Sequence, residues 1–222
     1  MSIATIILGE SGTGKSYSMR NLKPAETLLI QSVRKPLPFR SADWLRVGAD
    51  KRKGGNIFVT DQSARIIAYM QRTARKVIVL DDFQYVLANE FMRRSDEKGF
   101  DKFTEIGRHA WDILTAAGEL AEDVRVYILA HTQSDDYGRV RMKTIGKMLD
   151  EKITLEGLFT IVLRTNVADG RFQFSTVNNG SDTVKSPPDL FPSHYIDNDL
   201  AAVDAAICDY YGIATTTQPQ AA

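Results

Sequence analysis

Gly9-Glu10-Ser11-Gly12-Thr13-Gly14-Lys15-Ser16 fits the spacing G-x-x-x-x-G-K-[ST] in full. In such a loop consecutive backbone N–H groups converge on phosphate oxygens, and the glycines permit the dihedrals this requires. The spacing assigns Lys15 to the β- and γ-phosphates of a nucleotide and the Ser16 hydroxyl to Mg²⁺. A second group is Val77-Ile78-Val79-Leu80-Asp81-Asp82, four apolar residues ending in two acids. Asp81 is expected to hold Mg²⁺, directly or through water, and Asp82 to polarise an attacking water. A strand-end cap and a solvated acid are the ordinary alternatives. Glu10 and Glu105 are lesser candidates for the base. The third group, His131-Thr132-Gln133, follows an apolar run, where a polar side chain can contact the γ-phosphate. Any of the three suits that role, and an ordinary polar loop would read the same way. Together the groups predict an ATP site that uses Mg²⁺ and hydrolyses its nucleotide.

These residues need a scaffold that brings them together. Residues 3–8 read as a strand stopping at Gly9, with a helix beginning near Gly14 and running through Met19. Thr27–Ile30, Ile57–Thr60, Val77–Leu80 and Val124–Ala130 read as further strands. Ser63–Arg72 and Phe103–Leu120 carry helical periodicity, and Leu200, Val203, Ile207 and Tyr210 mark a final helix. Leu158–Thr165 and Arg171–Val177 read as paired strands turning at Ala168-Asp169-Gly170. Strands alternating with helices predict an α/β fold. Its sheet is expected to be mostly parallel and doubly wound, with a C-terminal antiparallel hairpin at one edge. Residues 34–56, 93–100 and 131–144 read as long loops. One domain over 1–212 and a disordered tail over 213–222 are expected.

The 222 residues are 43% hydrophobic and 25% charged, with 28 basic and 28 acidic side chains. Bulk charge therefore does not advertise nucleic-acid binding, and any DNA contact must be local. One candidate is Arg34, Lys35, Arg40, Arg46, Lys51, Arg52 and Lys53, interleaved with Phe39 and Trp44. Cations for phosphates and rings for bases suit a single strand, while a solvated loop with core-plugging aromatics is the alternative. The lone cysteine, Cys208, reads as a core residue and fits a reducing cytoplasm. No apolar run approaches a membrane span. No pair of His or Cys has zinc-ligand spacing.

The three groups, in this order, resemble the RecA-like P-loop ATPases, in particular phage-encoded AAA/RecA-type ATP-binding proteins that include single-strand-annealing recombinases. Lys35-Pro36-Leu37-Pro38-Phe39, Ala130-His131-Thr132, and Gly180–Pro187 before Leu190-Phe191-Pro192 add to the likeness, which spans roughly residues 3–211. The resemblance implies a RecA-like core and Mg²⁺-dependent ATP hydrolysis. It implies assembly into rings or filaments. It also implies action on single-stranded DNA, in company with phage or host recombination and replication proteins. It puts Arg139, Arg141, Lys143 and Lys147 on a DNA-facing loop, with Lys143 and Lys147 candidates to reach a neighbouring subunit's ATP. One departure stands out. The strand after the glycine-rich loop ends at Gln31, where RecA has a catalytic glutamate, and an amide cannot act as a base. A nucleotide-gated helicase-loader-like protein and a small-molecule or nucleotide kinase are the rival readings.

Overall fold

Alternate residues of each apolar run point to opposite faces, so a run with no polar interruption must be covered on both sides. A computed structural model describes residues 1–48, 54–146, 149 and 152–214 and realises that requirement. Asp50, Lys51, Arg52, Lys53, Lys147 and residues 215–222 lie outside the described residues.

The strands are β1 (Ile3–Gly9), β2 (Thr27–Gln31), β3 (Ile57–Val59), β4 (Val77–Asp81), β5 (Arg125–Ser134), β6 (Val140–Met142), β7 (Ile161–Ala168), β8 (Arg171–Ser175) and β9 (Tyr195–Asp197). They form one mixed sheet in the order β3-β2-β4-β5-β1-β7-β8-β9, with β6 paired to β5. Strands β3 through β7 along that order are parallel, and β8 and β9 add antiparallel at the edge. The helices are α1 (Ser63–Arg72), α2 (Gln84–Arg93), α3 (Asp101–Gly118) and α4 (Leu200–Tyr211). Ile6, Leu8, Ile78, Leu80 and Ile128 face a core shared with α1, α2 and α3. Ile7, Val79, Tyr127 and Leu129 face a second core with Met19 and, from α4, Val203 and Ile207. The protein is therefore α/β with a mostly parallel sheet covered on both faces. Among the described residues no helix is long and apolar enough to cross a membrane.

Register places the chemistry at one end of the sheet. Gly9 lies opposite His131 across β1–β5, and Gln31 lies opposite Asp81 across β2–β4. Gly9, Gln31 and Asp81 close their strands at the C-terminal ends, and His131 ends the part of β5 that pairs with β1, on the side where ligands of open α/β sheets bind.

Several expectations change. The helix expected from near Gly14 through Met19 is present but short, a 3₁₀ helix over Ser16–Asn21 that begins after Lys15. His131, Thr132 and Gln133 are not loop residues. β5 runs on to Ser134, and Thr132 and Gln133 pair with Met142 and Arg141 of β6 in an antiparallel hairpin. Most of the 131–144 "loop" is thus a projecting ribbon. Arg139 at its tip and Lys143 beyond β6 are exposed, and Arg141 is half-buried. Helix α2 and strand β9 were not predicted. The turn at Asp169-Gly170 is as expected: both residues have positive φ (52° and 73°), the type I′ geometry that matches hairpin twist.

Trp44 is buried and packs edge-on to Phe39, with ring centroids 5.9 Å apart, against the second core. Trp44 thus plugs the fold, with half-buried Phe39 packed against it. Arg34 and Arg40 on the same segment remain exposed.

Candidate active site

The glycine-rich loop turns directly out of β1, and steric fit explains two of its glycines. A Cβ on Gly9 would lie 1.9 Å from Thr165 Oγ1 of β7. That hydroxyl contacts Thr13 Oγ1 at 2.6 Å and donates to Leu8 O at 3.2 Å, tying the loop to two strands. Gly14 has φ +93°, and a Cβ there would meet Phe172 of β8 at 2.9 Å and the Asn198 amide at 3.2 Å. Further ties hold the far side. Arg20 Nη1 donates to Asn198 O, and Asn21 Nδ2 donates to Asp199 Oδ2 at 2.8 Å. Asp199 caps α4 by accepting from Ala201 N. Helix α4 is itself held by Arg125 and Tyr127 of β5, which donate to buried Asp204 at 2.6–3.0 Å.

Lys15 is 6% exposed and folds back over the loop, donating to Gly9 O at 2.8 Å and Glu10 O at 2.7 Å. Burial lowers its pKa to about 8 despite the nearby Asp82 and Asp81 carboxylates. Ser16 Oγ donates to Asp81 Oδ1 at 2.9 Å, joining the first two sequence groups. The other oxygen, Asp81 Oδ2, is buried and accepts no hydrogen bond among the described residues. Burial and the adjacent Asp82 push Asp81 up to about 6. A hydroxyl bound to one carboxylate oxygen, with the second oxygen unsatisfied beside it, is a hard-oxygen donor set suited to Mg²⁺. That ion commonly takes only one or two protein ligands and completes its shell with water and phosphate. The residues present fit the ion.

Asp82 sits at φ +63°, an uncommon conformation for a residue with a Cβ. Its carboxylate faces His131 Nε2 at 3.4 Å through Oδ1 and pairs with Lys35 Nζ through Oδ2. Burial opposes its charge, but the His131 and Lys35 contacts outweigh burial and hold Asp82 below the ordinary carboxylate range. Lys35 Nζ also lies 3.8 Å from Asp81 Oδ2. Burial works against its charge too, yet Asp81 and Asp82 raise its pKa.

A cleft of about 520 Å³ opens over these groups, with Gly12, Lys15, Lys35, Asp82 and His131 in its wall. Its outer wall includes Tyr17 and Phe172, each about 40% exposed, and both also border an adjoining hollow that reaches Asn198. Asn198 is 2% exposed, and among the described residues neither its amide oxygen nor its amide nitrogen has a hydrogen-bond partner.

The structure thus gathers Gly9, Gly12, Gly14, Lys15, Ser16, Asp81, Asp82 and His131 at one place. Ser11 lines the cleft and Thr13 braces the loop from behind. Glu10 is exposed, and its backbone carbonyl, rather than its carboxylate, meets Lys15. Glu105 is not at the cleft, because its carboxylate pairs with Arg94 at 2.7 Å. Thr132 and Gln133 continue β5 away into the β5–β6 ribbon. Gln31 is buried at the end of β2, its Oε1 without a hydrogen-bond partner among the described residues and its Nε2 donating to Lys35 O at 3.4 Å. Lys35, Tyr17, Phe172 and Asn198 were missed as site residues. Lys35 alone left a trace in sequence, four positions past the C-terminal end of a parallel strand.

No protein-family model matches this chain, and no curated protein sequence matches it.

Proposed function

We propose that this chain is a P-loop ATPase of RecA-like layout that binds Mg²⁺-ATP in the cleft above Gly9–Ser16 and acts on single-stranded DNA. The observation that carries the nucleotide reading is the Ser16–Asp81 hydrogen bond at the mouth of the loop, beside the Asp81 oxygen that accepts no hydrogen bond among the described residues. Two motifs 65 residues apart in sequence meet there in the arrangement a metal–phosphate site requires.

The loop N–H groups cradle the phosphates, and Lys15 turns from the Gly9 and Glu10 carbonyls to the β- and γ-phosphate oxygens. Ser16 and Asp81 would hold Mg²⁺, which would supply positive charge beside the phosphates. Asp82, oriented by His131, is placed to accept a proton from water attacking the γ-phosphorus. Tyr17 and Phe172 flank the cleft where a base leaving the phosphates would lie. Phe172→Ala is expected to weaken ATP binding about fivefold or more, the loss of roughly 1 kcal/mol of base stacking. Binding of inorganic tripolyphosphate, which has no base, is expected to stay unchanged in the same titration.

The DNA half of the reading rests on exposed Arg34, Arg40, Arg139 and Lys143, on segments that leave the same end of the sheet. Single-stranded DNA is expected to raise ATP turnover and to drive assembly into larger particles, measured as phosphate release and light scattering. An unchanged rate and an unchanged particle size would remove the DNA assignment and leave the nucleotide site standing. A second reading then takes over, that of a nucleotide-gated interaction protein with slow hydrolysis. It is favoured by the amide of Gln31 where a base would stand, and by the capture of Asp82 by Lys35.

A further inference from the structure

Among the described residues the cleft is lined by two lysines, Lys15 of the glycine-rich loop and Lys35. Lys35 comes from the segment after β2, which carries Pro36 and Pro38 and forms the facing wall. Proline fixes φ and limits the conformations open to this segment, so the lysine is presented from a restrained strap. Its ammonium lies against Asp82 and 3.8 Å from Asp81, on the side opposite the Ser16 hydroxyl that binds the other Asp81 oxygen. Without that ammonium, two neighbouring carboxylates, 1% and 6% exposed at their side chains, would face each other with His131 and Ser16 as their remaining polar contacts.

We propose that Lys35 is a triphosphate-sensing residue that guards the Asp81–Asp82 pair in the nucleotide-free protein and transfers to the γ-phosphate when ATP binds. The inference rests on the nucleotide reading above. A γ-phosphate carries more negative charge than one carboxylate and offers three oxygens, so it is the stronger partner for an ammonium that already borders the cleft. A lysine suits the transfer, because its point charge on a four-carbon stem can swing without the planar alignment that a guanidinium demands. The transfer also has a consequence for the carboxylate left behind. Asp82 keeps His131 on Oδ1 and regains Oδ2 as a free acceptor facing the cleft. The base therefore becomes available only once a γ-phosphate has arrived to draw Lys35 away. A diphosphate lacks the group that draws it, so ADP leaves the pair guarded.

The test is calorimetric titration of the full chain and of Lys35→Ala with a non-hydrolysable ATP analogue and with ADP, both with Mg²⁺. The wild-type chain is expected to bind the triphosphate at least tenfold more tightly than the diphosphate. In Lys35→Ala that ratio is expected to fall to within about twofold of unity, through lost triphosphate affinity, with ADP binding retained. Lys35→Met keeps the aliphatic stem should the alanine variant fold poorly, and it is expected to lose the ratio in the same way. Lys35→Arg, which keeps the charge, is expected to restore most of it. Equal weakening of both nucleotides, or an unchanged ratio in a folded Lys35→Met chain, would overturn the proposal. A wild-type chain that binds neither nucleotide would instead remove the nucleotide reading on which it stands.

Discussion

Lys15→Ala is expected to lower ATP turnover about a hundredfold or more while the nucleotide-free protein still unfolds cooperatively. The magnitude follows from the position of the group. Lys15 is a buried cation at the centre of the loop, and removing one preorganised charge donor from a water-poor site typically costs 10²–10³ in rate, or roughly 3–4 kcal/mol. The fold is expected to survive because, among the described residues, the hydrogen bonds of the lysine go to carbonyls of its own loop, Gly9 O and Glu10 O. Its lowered pKa adds a pH signature. Burial disfavours the ammonium, so the free protein loses that proton at about pH 8 instead of 10.5. In the nucleotide-free fold this cost is fully present below pH 8 and is relieved as pH rises toward 10.5, because there the unfolded chain binds the proton and the folded chain does not. Phosphate binding needs the charged form. Affinity for ATP is therefore expected to be nearly constant from pH 7 to 8 and to weaken about tenfold for each further pH step, as measured by titration at fixed ionic strength. In Lys15→Ala this alkaline decline should vanish.

Asp81→Asn is expected to move activity and stability in opposite directions. The amide can still accept the Ser16 hydrogen bond, but it offers no anionic oxygen for Mg²⁺. Turnover should fall on the order of a hundredfold and lose its dependence on Mg²⁺ concentration. Stability should rise. Asp81 is 0% exposed, and its pKa is raised from 3.8 to about 6 by burial and by Asp82. Between those pH values the folded chain binds the proton more strongly than the unfolded chain, so stability falls as pH climbs through that window. At pH 7 the folded protein carries the whole cost of the buried charge, on the order of 1–3 kcal/mol, and the asparagine removes it. With metal chelated and no nucleotide, thermal melts at pH 7 should show Asp81→Asn unfolding several degrees above wild type, with the gain shrinking toward pH 4. A variant that melts below wild type at pH 7 would mean that the charge is a net contributor to the fold, and the account of this carboxylate would fail.

Legibility in sequence divided along a physical line. The glycine-rich loop and Asp81 were readable because each is a local pattern, a run of residues whose dihedrals or burial follow from their own types. The four-residue run Val77–Leu80 spells a strand buried on both faces, and the acid after it must then lie at the sheet's end. The sheet class and its antiparallel edge were readable for the same reason. Lys35, Phe172 and Asn198 were not, since they reach the site from three separate elements and only the fold places them around Gly14 and Asp82. The His131–Gln133 segment was misjudged because polar residues after an apolar run look like a loop, whereas here β5 outlasts its buried part and pairs with β6 in a ribbon. Helix α2 did leave a trace: Val86, Leu87 and Phe91 fall at helical spacing, with Phe91 packed against the first core. Phe39 and Trp44 show the opposite hazard. Aromatics among cations fit a base platform and a core plug equally in composition, and the structure packs Trp44, with half-buried Phe39 against it, into the second core.

The central claim is that the cleft over Gly9–Ser16 takes a nucleoside triphosphate with Mg²⁺. The most direct test is isothermal titration of ATP into the full chain with Mg²⁺, repeated with Lys15→Ala. One saturable site per chain is expected in the wild type, with affinity about tenfold or more weaker in the variant. Equal affinity in the two proteins, or no heat of binding in the wild type, would contradict the claim.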